Sequence, residues 1–165
     1  MADDIWILKD QPIRVSFDTK GATFYKGVRG VLGVPMENFL RLISVNGDEK
    51  VEVPTVSDLK GRVVIANPEQ ALEFVRLFTS PSTHYLFPDS DYIEPTVETQ
   101  QEHNLTLAPV TARAEQGEFV IERNLVSRDG KLVRATERVT GDGDYVLAAT
   151  QVIDEHSPIS YPLYQ

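Results

Sequence analysis

Cysteine is absent from the 165 residues, which removes disulfide scaffolding, thiolate metal ligation and cysteine nucleophiles together. Long hydrophobic runs are absent too, since no apolar stretch approaches the ~18–20 residues of a membrane helix. The opening Met1-Ala-Asp-Asp-Ile-Trp is acidic and lacks the basic lead of a secretory signal. The expectation is therefore a cytoplasmic protein without membrane contact. Positive charge is scarce: 16 Lys and Arg stand against 25 Asp and Glu, a net charge of −9. That balance disfavours the phosphate backbone of nucleic acids. Nucleophile-elbow, Walker-loop and kinase motifs are missing. Gly27, Gly30 and Gly33 lack the spacing of a dinucleotide loop and any following Lys-Ser/Thr, so they read as bulge or bend positions.

What is present is an ordinary globular composition, 41% apolar and 25% charged, in a length that suits one domain over 1–165. A chain of this size buries roughly 70% of its unfolded surface and needs no metal to hold its core. The charge is uneven. Residues 1–82 carry 10 bases and 11 acids, whereas 83–165 carry 6 bases and 14 acids. Much of the excess lies between 80 and 118, a stretch that also holds Pro81, Pro88, Pro95 and Pro109. Proline removes a donor and biases the preceding residue toward extended geometry. Residues 80–103 therefore read as a long, acidic, mostly irregular surface segment.

In the first half, residues 5–17 and 22–32 read as strands. Met36, Phe39, Leu40 and Ile43 fall at i, i+3, i+4 and i+7 behind Pro35, and this spacing predicts a short helix over 35–45 that Asn46-Gly47 stops. Val51–Val56 and Arg62–Ala66 read as short strands around a Ser57–Gly61 turn. Asn67 can cap a second helix over 68–79, with Pro68 at its first position and Gln70 three residues after the cap. Ala71, Leu72, Val75 and Phe78 form its apolar stripe, widened by Phe74 and Leu77.

From 119 to 153 the pattern predicts a three-stranded antiparallel meander turning at Asp129-Gly130 and Asp142-Gly143. Two-residue turns there would oppose Val126 to Val133, Asn124 to Ala135, Glu122 to Glu137 and Val120 to Val139. The second would oppose Val139 to Val146, Glu137 to Ala148 and Val133 to Val152. Both faces then come out mixed, which suggests a sheet covered on both sides or curled toward a barrel. The fold class expected is α+β: a curved, mainly antiparallel sheet with two short helices.

This register suggests two sites. Glu122 and Glu137 would lie side by side on an apolar face, where two carboxylates cannot both ionise cheaply and one would serve as a general acid. If they were paired and strained, Glu137→Gln would stabilise the fold. Arg123, Arg134 and Arg138 would line the opposite face as an anion site. A third candidate is a protein-binding patch built from Tyr85, Phe87, Asp89, Asp91, Tyr92 and Glu94, aromatic side chains beside charge. His84, His103 and His156 lie far apart, outside any metal-ligand spacing, and no cofactor or metal is expected. Asp89–Glu94 lacks the glycine and terminal glutamate of a calcium loop.

The function these features favour is non-catalytic: a small acidic module binding another protein, one with a basic surface, and compatible with homo-oligomers. The alternatives are an acid–base enzyme of hydrolase or isomerase type using Glu122 and Glu137, and a small-molecule carrier with a pocket inside the curved sheet.

Overall fold

The computed structural model describes residues 4–31, 39–53, 55–79 and 91–160. β-Branched and aromatic residues at two-residue spacing, punctuated by Asn-Gly, Gln-Gly and Asp-Gly pairs, build nine strands there in two antiparallel sheets. The first sheet is the meander β1 (Asp4–Ile13), β2 (Thr23–Val31), β3 (Phe39–Asn46) and β4 (Glu49–Val53). The second is built around β7 (Glu118–Ser127), with β8 (Leu132–Thr140) on one side and then β9 (Tyr145–Asp154). The other side of β7 is shared by β5 (Tyr92–Ile93) at its C-terminal end and β6 (Thr111–Glu115) at its N-terminal end. The architecture is α+β with a curved, mainly antiparallel sheet.

Helix α1 (Pro68–Thr79) packs between the sheets. Asn67 Oδ1 accepts the Gln70 N–H at 2.9 Å, and Gln70 Oε1 reaches back to the Ala66 N–H at 2.8 Å, a variant of the reciprocal cap that the sequence announces. The helix buries Ala71, Phe74, Val75, Leu77 and Phe78 against Phe17, Phe24 and Val53 from the first sheet's side and Ile121 and Val139 from the second. Phe74 stacks edge-on with both Phe17 and Phe78. A smaller cluster on the other face of the second sheet joins Ile93, Val126, Leu132 and Ile159.

Several expectations are corrected. The helix over 35–45 is not formed: Phe39–Asn46 is strand β3, paired with β2 and β4. Pro35 and Met36 lie outside the described residues. Asn46-Gly47 is a hairpin turn that opposes Asn46 to Glu49 rather than a helix stop, and the apolar spacing that suggests a helix is equally compatible with a strand once that turn is recognised. Residues 62–66 form only one isolated bridge, Val64 to Asp18, and 56–59 is a single 3-10 turn. Within 80–103, residues 97–102 are a short helix, α2 (Val97–Glu102), capped by the Thr96 hydroxyl, which accepts the Thr99 N–H at 3.1 Å.

The meander is present, and its register differs by one. Observed partners are Leu125 with Val133, Asn124 with Arg134, Arg123 with Ala135, Glu122 with Thr136 and Ile121 with Glu137. The cause is turn length. Ser127 pairs with Lys131 across a three-residue loop, with Gly130 at φ 89°, the geometry of a type I turn closed by a glycine bulge. The Ser127 hydroxyl bonds the Asp129 carboxylate and accepts the Lys131 N–H. The same device recurs at Thr140-Gly-Asp-Gly-Asp144: Thr140 bonds Asp142 and accepts the Asp144 N–H, with Gly143 at φ 87°. Val139 therefore opposes Tyr145 and Glu137 opposes Leu147. A bulge between Glu137 and Thr136 then restores the expected opposition of Val133 and Val152.

Candidate functional site

The one-residue slip puts Glu122 and Glu137 on opposite faces of the sheet and brings Arg123 onto the face of Glu137, one diagonal step away. The two form a bidentate pair with both side chains fully buried: Arg123 Nε to Glu137 Oε1 at 2.5 Å and Nη2 to Oε2 at 2.9 Å. Tyr145 of β9 donates its hydroxyl to Glu137 Oε2 at 2.5 Å. From the other side Arg123 Nη1 reaches Glu94 Oε2, just beyond β5, at 3.2 Å. Glu94 in turn takes Nε and Nη2 of Arg76, on α1, each at 2.9 Å. Four elements and the residue just after β5 are thus joined by the chain Arg76–Glu94–Arg123–Glu137–Tyr145.

Its electrostatics are those of a closed circuit. Two guanidinium groups face two carboxylates, so the chain is neutral, and paired, hydrogen-bonded charges are the form in which ionic groups tolerate burial. Burial pushes the Glu94 carboxyl up, but the hydrogen bond from Arg76 and the charges of Arg123 and Arg76 outweigh it, leaving Glu94 below the usual carboxylate range. Burial opposes the charge of Arg123, and the bonds and charge of Glu137 overcompensate, so it stays protonated. The Tyr145 hydroxyl is pushed far up, by burial first and then by the neighbouring Glu137 charge. No buried side-chain nitrogen or oxygen among the described residues lacks a partner.

Such an arrangement holds the structure and offers nothing to a substrate. Both oxygens of Glu137 are engaged, and neither it nor Arg123 reaches solvent. Two open clefts among the described residues lie elsewhere. One of about 260 Å³ is lined by Lys20, Ser44, Asn46, Glu49 and Arg62. The other, of about 340 Å³, runs along Ile13, Val15, Phe17 and Phe24. Neither touches the ionic chain.

The remaining candidates are separated as well. Glu122 is half-buried and pairs with Arg113 at 3.3 Å and the Thr111 hydroxyl at 3.3 Å. Arg134 donates to the carbonyls of Ala108 and Pro109 and to Asn124 Oδ1, pinning that connector to the sheet. Arg138 pairs with Glu118 at 3.3 Å. The three arginines therefore line no common anion site: Arg123 faces the core side and the other two face away. Of the aromatic and acidic patch, Tyr85, Phe87 and Asp89 lie outside the described residues, as does His84. Asp91 is exposed, Tyr92 is half-buried against Leu125, Val133 and Ala135, and Glu94 belongs to the ionic chain. No group of three or more His, Asp or Glu converges among the described residues, and no helix there is long and apolar enough to cross a membrane.

The feature that sequence reasoning passed over is the edge strand β9. It borders β8 alone among the described strands. Val146, Val152 and Ile153 are 53%, 43% and 48% exposed. Between Tyr145 and Ile153 it carries no charge and no proline, the residues that ordinarily blunt an edge, although its pairing with β8 shifts at two bulges, at Ala148 and Ile153. The edges β4 and β1 do carry them: β4 is five residues with Glu49, Lys50 and Glu52, and β1 holds Lys9, Asp10 and Pro12. The signal was available in the run Val146-Leu-Ala-Ala-Thr-Gln-Val-Ile153.

Comparison with protein-family models, with curated proteins and with solved structures returned no match for this chain.

Proposed function

We propose that this protein is a non-catalytic protein-binding module that receives an extended segment of a partner along the free edge of β9. The observation that carries the reading is the edge of β9 that no other described strand covers, with its exposed valines and isoleucine and no charge from Tyr145 to Ile153, because unpaired backbone donors and acceptors are a template for an added strand. The buried carboxylate and arginine support it indirectly, since they are consumed in an internal circuit rather than presented in a cleft. An acidic exterior with net charge −9 suits a partner of opposite sign and speeds its approach.

The test is a selection of random peptides against the full chain, with the bound site read by amide hydrogen exchange. Selected peptides should slow exchange across 145–154 and lose affinity in the Val146→Lys/Val152→Lys variant. Peptides that bind but leave those amides unprotected would overturn the assignment to β9, and a failure to select any would overturn the binding reading.

A further inference from the structure

The two ends of β9 are both acidic. Asp142 and Asp144 precede the strand, while Asp154 closes it and Glu155 follows. Local cations only partly answer them. At the first end Lys60 lies 3.3 Å from Asp144, and Lys20 is held on the Gly61 carbonyl. The Asp142 carboxylate is tied to the Thr140 hydroxyl in its own turn, which holds it below the usual range. At the second end Lys131 is divided between Asp129 at 3.9 Å and Glu155 at 3.8 Å. Asp154 there accepts the His156 N–H at 2.9 Å, with no ion pair among the described residues. These are exposed pairs, and exposed pairs neutralise little. Each end therefore keeps excess negative charge, and the centre keeps none.

Resting on the β9 reading above, we infer that the partner segment is an extended stretch with an uncharged, apolar-alternating centre and a lysine or arginine at each end, and that the chain does not pair with a second copy of itself there. Ten residues at about 3.3 Å each separate the ends of the strand by roughly 30 Å. That exceeds the ~8 Å screening length at physiological salt, so each end selects its own cation independently. A second copy running antiparallel would set Asp142 and Asp144 against Asp154 and Glu155 at both ends. One running parallel would set like residues against like. Like charges directly opposed disfavour strand pairing in either case, and sliding the register to separate them would leave the exposed valines uncovered. The same acids that repel a copy attract a base-flanked partner, and because both ends carry the same sign the partner's direction is set by its side-chain pattern rather than its charges.

Three capped peptides of about ten residues, matched to the length of β9, test this. Each alternates valine and threonine, with lysine, glutamine or glutamate at both ends. Binding to the full chain is followed by fluorescence anisotropy at low and at physiological salt. The lysine-ended peptide is expected to bind roughly tenfold or more tighter than the glutamine-ended one, with the margin shrinking as salt rises. The Asp154→Lys/Glu155→Lys variant, confirmed folded by circular dichroism, should lower that preference and raise affinity for the glutamate-ended peptide. Equal binding of all three at β9 would overturn the charge rule and leave the strand-binding reading standing. Failure of all three, together with failure of the library selection, would overturn both. A dimer in sedimentation velocity that Val152→Lys dissociates would make the occupant a second copy and overturn the inference.

Discussion

Arg123 and Glu137 show what a single residue's placement decides. Both are legible in the sequence as charged groups inside apolar strands, but a two-residue turn assigns them to opposite faces and the real three-residue turn pairs them. The consequence reverses a sequence-based expectation: Glu137→Gln should not stabilise the fold. It leaves the fully buried Arg123 charge facing a neutral amide, and breaking a buried pair from one side costs about 3–5 kcal/mol. Replacing both, as Arg123→Met/Glu137→Leu, removes the buried charge left with Glu94 as its remaining carboxylate and should recover most of that loss. Urea unfolding of the two variants checks it, and a double variant as weak as the single one would refute the pairing argument. Tyr145→Phe isolates the phenol: losing one hydrogen bond to a buried carboxylate should cost about 1.5–3 kcal/mol while leaving the Arg123–Glu137 fork intact. The same experiment on Glu122→Gln, whose partners are half-exposed, should change stability by less than about 1 kcal/mol.

At the scale of elements, legibility followed how local the determining interactions are. Helix α1 was readable end to end because Asn67, Pro68 and Gln70 fix its start and its stripe repeats over three turns. The segment 39–46 was not, since its apolar spacing fits either period and only the pairing with β2 decides. The hairpins lie between these cases. Asp-Gly marked both corners, but the turn length is set one step earlier, by Ser127 and Thr140. Their hydroxyls bond the aspartate and receive the N–H of Lys131 and Asp144. The repeated pattern Ser/Thr-x-Asp-Gly was in the sequence throughout. The two glycines nevertheless differ in surroundings. A Cβ on Gly130 would meet nothing within 4 Å, whereas one on Gly143 would sit 2.6 Å from Val63 Cγ2. Gly130→Ala should therefore cost about 1–2 kcal/mol from its positive φ alone. Gly143→Ala should cost roughly 1–3 kcal/mol beyond that, because Val63 has no exposure and must move within a packed core. Equal losses in thermal or urea unfolding would show that Val63 gives way freely.

For the whole molecule, the ionic chain should make stability depend on acid. It ties α1 to the β5 end through Glu94 and both to three strands of the second sheet, so protonating its most accessible carboxylate loosens contacts across the fold. The folded Glu94 carboxyl titrates below its ordinary 4.5. A carboxyl depressed in this way contributes stability that is fully present above about 4.5 and is lost as pH falls through the lower folded value. Unfolding free energy should thus be insensitive to this group between pH 5 and 7 and should decline below about 4.5. In Glu94→Gln the low-pH decline should be shallower by up to one proton's worth, about 1.4 kcal/mol per pH unit. The variant should also start from a lower plateau at pH 7, since Arg76 and Arg123 both lose a partner. Glu98→Gln, on the exposed helix α2, is the control for removing a carboxylate outside the ionic chain. Wild-type and Glu94→Gln curves that run parallel from pH 6 to pH 3 would mean that Glu94 carries its proton equally in both states. The link from Arg76 to Arg123 would then be a contact without energetic weight, and the fold's acid sensitivity would have to arise from its general excess of negative charge.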